Sequence, residues 1–197
     1  WVHTTIVPIL DGVTHLTKRY QAIRFDITER KRMEDQLTAL TRIDGLTGAY
    51  SRRYFLDRSE EVLEMMKRYQ RPASMMMMDL DHFKKINDNY GHHIGDLALV
   101  AFTDVCRREI RDSDVLGRLG GEEFGLLLPE TPLHNARVLA ERIRTATAGI
   151  LIPFGDINIR FTVSIGLVEI RPEDMSMDSI MHRADMAMYQ AKERGRD

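Results

Sequence analysis

Apolar positions along this chain follow two periods, and the switches between them mark out the elements. Residues 2–10, "VHTTIVPIL", and 17–27, "TKRYQAIRFDI", are rich in β-branched and aromatic side chains, and Asp11-Gly12 between them has hairpin turn chemistry. A lone hairpin is marginal in water and needs something to pack against. From 29 to 43 the pattern turns helical. Met33, Leu37 and Leu40 recur at the spacing of a coiled-coil seam, and Asp26 followed by Glu29 has the form of a capping box. So short a seam cannot hold a dimer by itself, so the stretch predicts a helical linker, with pairing to a second copy as an added role.

Past Asp44 the periods lengthen. Residues 51–70 carry Tyr54, Phe55, Val62, Leu63, Met65 and Met66 on a helical face that stops at Arg71-Pro72. "ASMMMMDLD", 73–81, is a short apolar run ending on two aspartates, as a buried strand would, and its methionines read as core filler rather than a soft-metal site. "HFKKINDNYG" predicts a short helix, with another from Gly95-Asp96 to about residue 110. Strands at 115–119 and 124–128 flank Gly120-Gly121, followed by a helix over 133–148, strand runs at 150–154 and 157–168, and a helix over 177–194. Without internal repeats, this order predicts an α/β (α+β) domain, a mostly antiparallel central sheet surrounded by helices, preceded by the hairpin and the helical stalk.

Composition narrows the partners. Of 197 residues, 43% are hydrophobic and 29% charged, and the net charge is −2, a soluble globular profile with no nucleic-acid or membrane footprint. A single cysteine, Cys106, excludes an internal disulfide and suits a reducing, cytoplasmic setting. No apolar run approaches the roughly 20 residues a membrane span requires. The first residue is Trp1, so the chain reads as a piece of a longer protein, with room upstream for a sensor or membrane region.

The chemistry concentrates in acids. Asp79 and Asp81 end the methionine run, and Glu122 and Glu123 follow the glycine pair in "LGRLGGEEFGLLLP". If those strands are neighbours, up to four carboxylates meet at one sheet edge, where they repel unless a cation lies between them. Oxygen ligands without His or Cys favour Mg²⁺ or Mn²⁺, and such ions complete their shells with water and phosphates. Solvated loop acids are the plainer alternative.

Five blocks carry a family resemblance: "DGLTGAYSRR" (44–53), "DLDHFKKIND" (79–88), "GHHIGD" (91–96), "GGEEF" (120–124) and "DMAMYQAKERGR" (185–196). In order and spacing they resemble the signature blocks of GGDEF-domain diguanylate cyclases over about 44–197. Residues 1–28, ending "AIRFDIT", resemble the last two strands of a PAS sensor domain, a shorter match. The resemblance implies a palm-like fold and condensation of two GTP into cyclic di-GMP with release of two pyrophosphates, by a homodimer controlled from an upstream sensor domain. It implies two Mg²⁺ (or Mn²⁺) per active site on Asp79, Glu122 and the Leu80 carbonyl. Glu123 would help deprotonate the attacking 3′-hydroxyl, and Gly120 and Gly121 would keep the hairpin thin beneath the nucleotide.

The same resemblance puts guanine on Asn87 and Asp96, though by itself Asp96 reads as an N-cap after Gly95. Phosphates would meet the free N–H groups around Phe83 and Lys84 and the side chains of Lys192 and Arg196, which otherwise suit a solvated helix end. "RDSD", 111–114, matches the family's RxxD inhibitory site for cyclic di-GMP, on Arg111 and Asp114, with Arg142 as the basic residue completing it on a neighbouring subunit. A charged turn with a surface ion pair is the bland reading. Ser51 departs from the family's usual Asn, and Tyr189 and the other aromatics read as core. A different class of function, a non-catalytic module sensing GTP or cyclic di-GMP, is the alternative; degenerate relatives of that kind lose a metal acid or the glycine pair, and both are present here.

Overall fold

A computed structural model describes residues 2–10, 17–26, 28–29, 42–171, 173–174 and 176–196. The chain divides into two units, Trp1–Thr41 and Arg42–Asp197.

In the first unit, β1 (Val2–Leu10) and β2 (Thr17–Asp26) form the expected antiparallel hairpin, with Val2 opposite Asp26 and an irregularity between Ile9 and Leu10. Asp26 acts as a cap at the end of β2: its Oδ1 accepts the Thr28 N–H at 2.8 Å, and residues 28–29 are helical. The seam positions Met33, Leu37 and Leu40 lie outside the described residues.

The second unit is built on β3 (Tyr50–Ser51), α1 (Arg52–Tyr69), β4 (Ala73–Leu80), α2 (Phe83–Tyr90), α3 (His92–Glu109), β5 (Val115–Gly120), β6 (Glu123–Pro129), α4 (Leu133–Ala148), β7 (Ile152–Phe154), β8 (Ile157–Ile159), β9 (Val163–Ile170) and α5 (Met177–Glu193). Its sheet runs β3-β5-β6-β4-β9, parallel between β3 and β5 and antiparallel elsewhere; β7 and β8 form a separate ribbon.

The methionine strand is buried throughout because helices cover both of its faces. Met76, Met78 and Leu80 join Phe124, Leu126 and Leu128 in a core closed by Ile86, Leu99, Phe102 and Ile143 of α2, α3 and α4. Alternate residues Met75 and Met77 face a second core, with Phe55, Leu63 and Met66 of α1 and Ile180, Ala184 and Met188 of α5. Gly117 and Gly125 stand opposite each other on β5 and β6, and the fully buried Phe55 ring lies where their side chains would be. Ser51 is the N-cap of α1, its hydroxyl accepting the Tyr54 N–H, so the unusual serine keeps a capping acceptor at this turn.

Four expectations need correction. The helix assigned to Gly95-Asp96 starts at His92, because Gly91, with φ +85°, lets the chain turn directly from α2 into α3. Asp96 is therefore inside the helix and not its cap. The run 157–168 is two strands: β8 pairs with β7, and after residues 160–162 the chain joins β4, with Val163 opposite Leu80. Met65 and Tyr189, read as apolar-face and core residues, are exposed at 52% and 55%.

Candidate active site

Strand pairing brings the acids together. Asp79, the last acid on β4, stands directly opposite Glu123, the first residue of β6, so both side chains leave the sheet on the face covered by α1 and α5. The two-residue turn between β5 and β6 holds Gly121 at φ +50°, a left-handed conformation that glycine adopts freely, and Glu122. The Glu122 carbonyl accepts the Leu80 N–H at 3.4 Å, fastening the turn to the end of β4.

The electrostatics come from burial. Asp79 is 8% exposed, and burial lifts its pKa above the usual carboxylate value, opposed by the Lys192 ammonium, whose Nζ is 2.8 Å from Asp79 Oδ1. Glu123 is also raised, first by desolvation and then by the negative charges of Asp79 and of Asp185 on α5. Asp81 is committed elsewhere. Its carboxylate accepts the hydroxyls of Thr162 at 2.6 Å and Ser164 at 2.7 Å, its N–H donates to the Thr162 carbonyl, and Arg196 Nε lies 3.9 Å away. The expected cluster of four carboxylates thus loses Asp81 to the joint between β4 and β9.

Among the described residues no three His, Cys, Asp or Glu side chains close around a point. The donor set nonetheless fits a hard divalent cation that takes water and phosphate for its remaining ligands. Asp79 and Glu123 share a face, burial raises the pKa of both, and Asp79 already holds a cationic group.

The other expected residues lie on β5 and on the helices that follow β4. Gly120 ends β5 beside the turn. At the start of α2, the amides of Lys85 and Ile86 turn back to the His82 carbonyl, while no side chain caps the helix, so those of Phe83 and Lys84 point out of the first turn. One turn on, Asn87 Oδ1 is buried without a hydrogen-bond partner. Gly95 of α3 packs on that amide: a Cβ there would lie 2.0 Å from Asn87 Oδ1. Asp96, next to Gly95, is exposed.

Two residues escaped the sequence reading. Arg118 donates from Nε and Nη2 to the Gly121 carbonyl, at 3.0 and 2.8 Å, and from Nη1 to Asp44 Oδ1 at 3.2 Å. Asp44 also accepts the N–H and hydroxyl of Thr47, so a buttress runs from the "DGLTG" block to the hairpin tip. The position of Asp44 in that block was the available signal; its partner 74 residues away was not visible.

Arg111 and Asp114 form a tight turn after α3. The Arg111 N–H donates to Asp114 Oδ2 at 2.8 Å, and Asp114 returns its N–H to the Arg111 carbonyl. Burial pushes the Asp114 carboxyl up, against the Arg111 N–H and guanidinium. Both residues line a pocket of about 420 Å³ with Gly48, Tyr50, Arg107 and Asp112. Arg142 is not in that lining; its guanidinium is held by Glu109, with Nε 2.7 Å from the carboxylate.

A family model described as "Diguanylate cyclase, GGDEF domain" matches residues 41–197. Diguanylate cyclase DgcM of Escherichia coli is 41% identical over 87% of this chain and 41% of its own length, so the chain spans less than half of that curated relative. Among solved structures, diguanylate cyclase SiaD of Pseudomonas aeruginosa, in complex with its activator SiaC, is 37% identical with a TM-score of 0.76, over 86% of this chain and 66% of that one. The GGDEF domain of DgcB from Caulobacter crescentus, in complex with c-di-GMP, is 30% identical with a TM-score of 0.75, over 79% and 89% of the two chains. With its matched length running from 41 to 197, the chain belongs to the GGDEF domain family of diguanylate cyclases.

Proposed function

We propose that this chain joins two molecules of GTP into cyclic di-GMP, releasing two pyrophosphates, and that it does so as a homodimer inhibited by its product. The observation that carries the reading is the shared face of Asp79 and Glu123, with Lys192 reaching Asp79 from α5. Asp79, Glu122 and the Leu80 carbonyl would hold Mg²⁺ or Mn²⁺, two ions per site, which when bound supply the positive charge that offsets the acids and phosphates.

The protein groups divide the remaining work. Asn87 brings a buried, unpaired acceptor, the type of group that leaves a penalty when a base fails to match it, and with Asp96 it takes guanine. The Phe83 and Lys84 amides, Lys192 and Arg196 hold the triphosphate, with Lys192 passing from Asp79 to a phosphate oxygen. The 3′-oxygen of one GTP attacks the α-phosphorus of the other, the bond to the pyrophosphate oxygen breaks, and the hydroxyl proton goes to Glu123. Desolvation and the neighbouring acids raise its pKa above the ordinary carboxylate value, which makes it a stronger proton acceptor. Each chain carries one GTP, so two sites face each other across a twofold axis. Residues 1–28 would be the end of a PAS-like sensor domain and 29–43 a stalk that sets how often the two cyclase domains of 44–197 meet. Product would bind at Arg111 and Asp114.

Incubating the full chain with GTP and Mg²⁺ tests the reading. Cyclic di-GMP and pyrophosphate should form in a ratio of one to two, and a dimeric sample that makes neither refutes it.

A further inference from the structure

The end of the sheet away from the acids borders a cavity of about 680 Å³, lined by the last turn of α1, the start of β4 and the end of β9. From Ala73 to Asp79 is about 20 Å of extended strand, so this space is separate from the active site. Met66, Pro72 and Ile170 give it apolar walls. Both sides are pinned. On one, the N–H groups of Gln70 and Arg71 both donate to the Met66 carbonyl, and the Arg71 guanidinium is bound to Glu130. On the other, the Arg171 N–H donates to Asp174 Oδ2 at 2.7 Å. Asp174 is held in turn by Arg183 of α5, which also donates to the Glu169 carbonyl at 3.2 Å. Among the described residues, the side chains of Lys67 and Arg171 make no hydrogen bond or ion pair.

We propose that this cavity binds a small amphiphilic anion, with its single acidic head group on Lys67 and Arg171 and its apolar body against Met66, Pro72 and Ile170. Charge selects the head. Glu130 neutralises Arg71, which leaves Lys67 and Arg171 against Glu169 and so one uncompensated positive charge. A helix C-terminus repels anions through its bare carbonyls, but the Met66 carbonyl is already occupied by two N–H groups. Size and shape select the body. The volume falls within the range of small-ligand sites, whose linings combine apolar walls with a few placed polar groups. Pinned walls lose little freedom when a ligand arrives, so more of the contact energy appears as affinity. Binding here needs neither GTP nor the acids at the other end of β4.

Fluorescence titration of the full chain with anilinonaphthalene sulfonate, an aromatic body carrying one sulfonate, tests the site. Binding should saturate at one dye per chain. Octanoate should displace the dye, whereas octanol, which lacks the charge, and acetate, which lacks the tail, should displace it far less at the same concentration. Reversing both cations, Lys67→Glu with Arg171→Glu, should weaken the dye's Kd about tenfold or more through loss of the charge-assisted contacts. Arg68→Glu is the control. Arg68 is also exposed but lies outside the cavity, over the Tyr69 ring, and its variant should stay within about twofold of the parent. The proposal is overturned by the absence of saturable binding or by a double variant within twofold of the parent. An equal loss in Arg68→Glu overturns it too, as does displacement by octanol or acetate as strong as by octanoate.

Discussion

Gly95→Ala separates base recognition from fold stability. The new Cβ would lie 2.0 Å from Asn87 Oδ1 and 3.1 Å from Phe83 Cζ. Ordinary contact begins near 3.4 Å, so the amide must withdraw by about 1.4 Å. A hydrogen bond to a base tolerates only about 2.7–3.2 Å, so the contact proposed for guanine is broken. Losing one bond at a buried polar group costs about 1–3 kcal/mol. With roughly 1.4 kcal/mol per factor of ten, kcat/KM for GTP should fall about 5- to 150-fold. Stability should move the other way. Alanine favours a helix over glycine by up to about 1 kcal/mol, and the clash is with a side chain that can rotate rather than with backbone. Steady-state kinetics with GTP and a thermal melt on one preparation decide the matter. A kcat/KM within twofold of the parent, with the melt unchanged, refutes the guanine role of Asn87. A collapse of the melting temperature would instead show that the amide cannot yield.

Gly166→Ala should behave in the opposite way, because its Cβ falls 2.0 Å from the Ala184 carbonyl oxygen and 2.3 Å from the Met188 nitrogen, both helix backbone. A cost of about 1–3 kcal/mol or more should lower Tm by roughly 2–4 °C per kcal/mol, and KM for GTP should rise as α5 carries Lys192 away. Glu123→Gln should raise Tm above neutrality, since the folded pKa of this acid lies above its ordinary 4.5 and its charge opposes folding there. That gain should shrink as pH falls through the folded value and vanish below about 4.5, where both states are protonated; melts at several pH values that show a gain growing with acidity would contradict it. Ser51→Ala should cost about 1 kcal/mol through loss of the α1 cap, while Ser51→Asn should stay within about 0.5 kcal/mol of the parent, both read by chemical denaturation.

The relation between acid and partner explains why the site was only partly legible. Asp79 and Asp81 sit two residues apart and look alike in the chain. Two hydroxyls, 81 and 83 residues away, occupy Asp81, whereas Asp79 faces Glu123 and Lys192. Arg107 likewise reads as one more charge at a helix end. Only the fold shows that it borders the Arg111 pocket over Gly48.

Local features were already written in the order of amino acids: the helix over 133–148 falls where its periodicity predicts, the methionine strand begins at Ala73 and stops at its aspartates, and Gly121 marks the hairpin turn. These come from the period of apolar side chains and from backbone sterics, which act between near neighbours. Folding in three dimensions was needed to place β4 between β6 and β9, to divide 157–168 between two sheets, and to leave some acids available for chemistry and others not. Those outcomes depend on pairing and burial between residues far apart in the chain, and burial, not residue type, sets what a carboxylate or an amide is free to do.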